Sequence, residues 1–183
     1  MDVLPDFEKF AELLLLAATR LLDDPSGGAT KLNRVLYLAE FACVRSEGRP
    51  ITGIAYQKLR NGPAPRRLLA IRDDLVASGA AVVEVAEFLG FRIDRLVPLR
   101  EPDIGRFSAT ELHHIDDAVA AVRGRTPQEI SDLSHRDTAW CMVELGDDIP
   151  FAAAYLDADQ HTLTPGMRKR AAQIAATIHG VSA

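Results

Sequence analysis

Within eight residues, LSHRDTAW at 133–140, the chain places a serine, a histidine, an arginine, an aspartate and its only tryptophan. Serine, histidine and aspartate are the side chains of a hydrolytic triad, in which the imidazole takes the hydroxyl proton and the carboxylate orients the imidazole. That chemistry needs the three groups to converge, and adjacency in sequence, as between Ser134 and His135, does not bring side chains together. The sequence lacks the G-x-S-x-G elbow that presents a nucleophilic serine. Cys141 follows bulky Trp140 and is no better placed to attack. The alternative is architectural. Trp140 then anchors the core against Tyr37 and Phe41, and His135 ties this segment by a hydrogen bond to the turn at Asn61 and Gly62. On that reading no residue is catalytic, and Trp140→Ala costs about 3 to 5 kcal/mol.

Other reactive groups are weaker still. SGGATK, 26–31, sets glycines before a helix, but a phosphate loop of the G-x-x-x-x-G-K-[ST] type needs its lysine directly after the last glycine. Here Lys31 comes three residues after Gly28. His113 and His114 are adjacent and so diverge on a helix, whereas metal-binding pairs sit three or four apart. Cys43 and Cys141 lack C-x-x-C spacing and read as reduced, buried thiols. The expectation is a protein with neither metal nor cofactor.

Arg60, Arg66, Arg67 and Arg72 form a basic cluster around a third helix that is followed by a hairpin. Helix, helix and hairpin in this order is also the outline of a winged-helix module, whose recognition helix enters the major groove. Asp73 and Asp74 lie on the same helix, and the formal net charge is −5, so a nucleic acid partner is disfavoured but stays open. A protein partner explains the cluster equally well, with Arg60, Asn61, Arg66 and Arg67 as the candidate contacts.

The elements that would position these residues are legible from periodicity. Apolar residues at three- and four-residue steps predict helices over 6–22 and 30–47. An extended stretch over 51–60 precedes the turn dipeptide Asn61-Gly62, and Pro63 or Pro65 can open a third helix that Gly79 ends. The period then becomes two on either side of Leu89-Gly90, which predicts a β-hairpin. Ser108 and Glu111 have capping-box spacing, and Thr126 with Pro127 heads a short helix. The segment around Trp140 reads as helical, and final helices are expected over 151–156 and 165–178. The fold class is α+β, predominantly helical: a compact multi-helix domain with one small antiparallel hairpin or sheet.

Length and composition agree with a single domain over 1–183. Hydrophobic residues make up 48% of the chain and charged ones 26%, the balance of a globular protein. No apolar run approaches the roughly 18 to 20 residues that span a bilayer, and the acidic start is unlike a secretion signal, so a cytoplasmic location is expected.

Several of these segments resemble, in order, the motifs of the Panacea, or SocA-like, antitoxin domain. KLNRVLYLA is similar to the family helix, through Lys31, Leu32, Leu36, Tyr37 and Ala39. GRPI, 48–51, matches its break, and Tyr56 leads into NGPAP with Gly62 and Pro63. LSHRDTAW with GDDIPFAAA is similar to its closing motif. The best-matching region is 30–156, with the helices over 6–22 and 165–178 as additions. Where the family often has lysine after its Lys-Leu pair, this chain has Asn33-Arg34. The resemblance implies an antitoxin of a toxin–antitoxin or phage-defence system that neutralises a cognate toxin as a protein. Lys31, Leu36, Tyr37, Gly62, Pro63, His135 and Trp140 are then scaffold residues. The alternative is a winged-helix-like regulator of its own operon; oligomeric state is left open.

Overall fold

The computed structural model describes residues 3–156. The helix expected over 165–178 lies outside them. Helix α1 spans Phe7–Arg20 and α2 Ala29–Glu47. Strands β1 (Tyr56–Leu59) and β2 (Gly62–Pro65) follow, then α3 (Leu68–Ala77). The hairpin β3 (Ala81–Phe88) and β4 (Phe91–Pro98) leads to α4 (Ala109–Val122), α5 (Pro127–Ser134) and the short α6 (Thr138–Cys141). A two-residue strand β5 (Asp148–Ile149) and a 3-10 helix (Phe151–Tyr155) complete the described chain. The fold is α+β and mostly helical.

The four leucines of α1, Leu13 to Leu16, are all buried, so this helix is enclosed on every side rather than lying on the surface. It stands against α2, α3, α4 and β4. No described helix is long and apolar enough to cross a membrane. Asp6 caps α1 through its carboxylate, which accepts from the Lys9 N–H at 2.9 Å. The capping boxes at Ser108 and Thr126 form as their spacing predicts, and Pro127 opens α5. The predicted hairpin turns at Leu89-Gly90, both at positive φ.

Two expectations change. Pro63 and Pro65 do not open a helix: Gly62–Pro65 is a strand paired antiparallel with β1, and α3 begins at Leu68. The order β2-β1-β5 leaves β2 at a sheet edge, where proline's missing N–H is tolerated. A three-stranded sheet therefore accompanies the predicted hairpin, closed by β5 pairing Tyr56 with Ile149.

Two buried ionisable side chains, Lys31 and Glu40, fix α2. Lys31, with no exposed surface, donates to Asp24 Oδ2 at 2.5 Å, while Asp24 Oδ1 accepts from the Ser26 N–H and hydroxyl at 3.0 Å each. Burial works to raise the Asp24 carboxyl, but the Lys31 ammonium and the Ser26 donors outweigh it and hold it below the usual range. SGGATK is thus a structural clasp. Glu40, equally buried, accepts the backbone N–H groups of Ile51 and Thr52 and the Thr52 hydroxyl, anchoring the chain that leaves the GRPI break. Its burial pushes the carboxyl up to about 7 despite those donors.

Candidate partner-binding surface

The tight turn between β1 and β2 presents Arg60 and Asn61 to solvent and buries Gly62 and Pro63. Gly62 has φ +128°, a conformation side-chain-bearing residues rarely adopt, and a Cβ there would stand 2.6 Å from Ser134 Oγ and 3.1 Å from Ser134 Cβ. The turn is thereby pressed against the end of α5. His135 caps that helix, and its Nε2 lies 3.1 Å from the Arg60 carbonyl. The tie expected between LSHRDTAW and the turn is present.

The expected partners of Trp140 are not. Tyr37 and Phe41 pack on each other, ring centroids 4.2 Å apart, and on Tyr56, while Phe41 also meets Phe151. Trp140 lies only half-buried, against the end of β1. Its indole N–H donates to the Leu59 carbonyl at 3.3 Å, its ring stacks on His135, and the Lys58 ammonium sits 4.0 Å above it. The physical reason is the short α6: Asp137 caps it by accepting from the Trp140 N–H at 3.2 Å, which turns the indole toward β1.

Asp137 does more than cap. Its carboxylate also accepts from the Tyr37 hydroxyl at 3.1 Å and from Arg34 Nη1 at 3.3 Å, joining LSHRDTAW to α2. Burial, then the Asp137 charge, holds the Tyr37 phenol far above its ordinary range, so it stays a neutral donor. Sequence reading missed the Arg34–Tyr37–Asp137 group. Two signals were available: Arg34 and Tyr37 are three apart and share a helix face, and D-T-A-W has an N-cap residue in front.

The reactive side chains are therefore all committed. Ser134, buried, donates to the Ile130 carbonyl at 3.1 Å; His135 meets a carbonyl; Asp137 caps and bridges. They do not converge into a proton relay. Of the two thiols expected to be buried only Cys43 is, and burial with the Glu111 and Glu40 charges pushes it up to about 11; Cys141, on the short surface helix α6, is exposed. His113 pairs with Asp117 at 3.4 Å and His114 with Ser46 at 2.7 Å, both on the surface.

Three cavities meet around Ala29 at the start of α2. One of about 340 Å³ is lined by Thr30, Asn33 and Arg34 of α2, by Arg60 and Asn61, and by Ser134. A second, about 250 Å³ and largely apolar, runs from Leu32 and Leu59 past Leu69 to Val83, with Arg66 on its wall. A third, about 360 Å³, faces the hairpin at Arg92 and Ile93. Of the four predicted contacts, Arg60, Asn61 and Arg66 border this trench. Arg66 is bound to Asp148, to the Gly146 carbonyl at 2.7 Å and to Gln57 at 3.2 Å, which fastens the β5 loop to β1. Arg67 points elsewhere, with its guanidinium 5.2 Å from the Phe7 ring centre.

The chain matches the family model described as antitoxin SocA-like, Panacea domain, over residues 32–141. It belongs to the Panacea family. The match runs from α2 through α6 and so takes in the turn, the trench and LSHRDTAW. Helix α1 precedes the matched stretch, although its leucines lie at the centre of the core. No curated protein and no solved structure matches the chain. As a member of an antitoxin family, the protein has a cognate toxin as its implied partner.

Proposed function

We propose that this Panacea protein is the antitoxin of a toxin–antitoxin or phage-defence pair in the cytoplasm, and that it neutralises its toxin by binding it as a protein. The observation that carries this reading is the division of labour around the β1–β2 turn. Inside, the reactive side chains of LSHRDTAW are consumed in hydrogen bonds that hold the scaffold. Outside, an open trench with both apolar and basic walls faces solvent beside Arg60 and Asn61. A rigid, partly apolar surface with charged rims is what a protein interface requires. We take Arg60 and Asn61 as contacts, with Arg66 holding the rim and Arg67 peripheral.

The winged-helix reading has less support. The exposed face of α3 carries Leu69, Asp73, Asp74 and Val76, a poor match to a polyanion, and Arg72 is paired with Asp73 at 2.7 Å. Titrating the purified toxin with this protein separates the classes. Direct binding predicts that inhibition saturates at a fixed stoichiometric ratio; complete inhibition at a small fraction of that ratio contradicts it.

A further inference from the structure

The outer edge of a β-sheet carries N–H and C=O groups that accept a further strand unless something blocks them. Three of the four edges described are blocked. In the three-stranded sheet, β2 carries two prolines and β5 is only two residues long. In the hairpin, β4 ends in Pro98, its Leu96 is buried, and its Asp94 carbonyl stands 3.3 Å from where a Cβ of Gly28 would be. The fourth edge, β3, is eight residues long and has no proline, no lysine and no bulge.

The direction of its backbone groups follows from the ladder. The Leu99 N–H donates to the Ala80 carbonyl at 2.9 Å, next to the pair Ala81 and Pro98. Antiparallel pairs alternate between bonded and non-bonded, so Val82, Glu84, Ala86 and Phe88 hold β4 while Val83, Val85 and Glu87 turn their N–H and C=O outward. Among the described residues those outward groups have no hydrogen-bond partner. Charge marks the same stretch. Glu84 and Glu87 are exposed and stand opposite Arg95 and Arg92 in the register. Neither arginine pairs with them: Arg95 donates to the Leu21 and Leu22 carbonyls at 3.1 and 2.6 Å, and Arg92 meets Asp94 at 3.5 Å.

We propose that β3 is a docking edge to which the toxin adds an extended segment, with two apolar residues opposite Val85 and Ala86 and a basic residue on each side of them, opposite Glu84 and Glu87. Backbone hydrogen bonds hold such an added strand, and the cross-strand pairs select it. The edge stands on its own geometry; the toxin as the source of the strand rests on the direct-binding reading above. At Val83 the edge reaches the apolar groove beside Arg66, so edge and trench form one surface. A second copy of this chain fits less well, because two β3 strands bring four carboxylates together and neither strand has a basic residue. The same carboxylates oppose a nucleic acid.

Val85→Pro removes the central outward N–H and leaves the ladder to β4 intact, while Glu84→Lys with Glu87→Lys reverses the charge of the edge. Both are tested in the full chain against the purified product of the neighbouring open reading frame as toxin. The expected result for each is a melting temperature close to that of the parent, with toxin affinity weakened about tenfold or more. Unchanged affinity in either folded variant overturns the proposal; if the proline variant does not fold, the lysine variant decides alone. Should the parent chain bind no toxin, the direct-binding reading fails and the edge is judged with a peptide, Thr-Lys-Val-Val-Lys-Thr, titrated into the full ¹⁵N-labelled chain. A saturable shift of the Val85 and Glu87 amides, lost in the lysine variant and absent when the peptide carries glutamates for lysines, upholds the edge, and no saturable shift overturns it. Val85 and Glu87 amides that already resist hydrogen exchange in the free monomer overturn it as well, since the chain then covers the edge itself. A dimer in sedimentation that Val85→Pro dissolves overturns the toxin assignment in favour of a second copy.

Discussion

Replacing Gly62 by alanine puts a methyl group where the fold has no room, and the cost can be worked from two separate sources. The first is the backbone. At φ +128° an L side chain is strained whatever surrounds it, by about 1 to 3 kcal/mol. The second is steric: the new Cβ falls 2.6 Å from Ser134 Oγ and 3.1 Å from Ser134 Cβ. Rotating the hydroxyl away relieves only the first of those contacts and breaks its 3.1 Å bond to the Ile130 carbonyl. Turn and helix must then separate, adding about 1 to 3 kcal/mol of overpacking. Gly62→Ala should therefore lose roughly 2 to 6 kcal/mol. Urea unfolding followed by circular dichroism reads this as a midpoint lowered by about 1 M or more, given a slope of about 2 kcal/mol per M. Ser134→Gly removes both atoms the methyl group strikes, at a cost of about 1 kcal/mol for glycine in a helix. In the double variant only the backbone strain survives, so the cycle should show a favourable coupling of about 1 to 3 kcal/mol. Simple additivity, or a Gly62→Ala protein within about 0.5 kcal/mol of the parent, refutes the account of the turn.

Asp137→Ala removes a helix cap and strands both the Tyr37 hydroxyl and a mostly buried Arg34, so thermal unfolding should show a loss of about 2 to 4 kcal/mol, whereas a neutral substitution contradicts the bridge. Trp140→Ala should cost about 1 to 2 kcal/mol, less than a core tryptophan, because the indole is half-buried; a loss above about 4 kcal/mol in the same melt contradicts that placement. Glu40 has a folded-state carboxyl raised to about 7, so its contribution is fully present below the unfolded value near 4.5 and is lost as pH rises through 7. The difference in stability between the parent and Glu40→Gln should accordingly slope with pH across that window, by on the order of 3 kcal/mol, and a flat difference contradicts the burial argument.

Local signals in this chain were strong and tertiary ones were not. The caps at Ser108 and Thr126 and the Leu89-Gly90 hairpin could be read from sequence because each depends on residues within a few positions. The strand at Gly62–Pro65 could not, since two prolines in four residues read as a helix start until an edge position makes their missing N–H harmless. Trp140 was misplaced for a related reason. Its size argued for the core, but the cap at Asp137 aims it at β1 and Lys58 instead. At the candidate surface, Arg60, Asn61 and the His135 tie followed from turn chemistry and motif likeness. The Arg34–Tyr37–Asp137 group did not, because it joins α2 to a residue about a hundred positions further along the chain.

The central claim, neutralisation of a toxin by direct binding, is tested most directly by expressing the neighbouring open reading frame alone and with this protein, then purifying through a tag on one of the two. The account predicts growth arrest from the first, relief in the second, and recovery of a stable complex of the two chains. Relief with no complex recovered under any salt condition contradicts it.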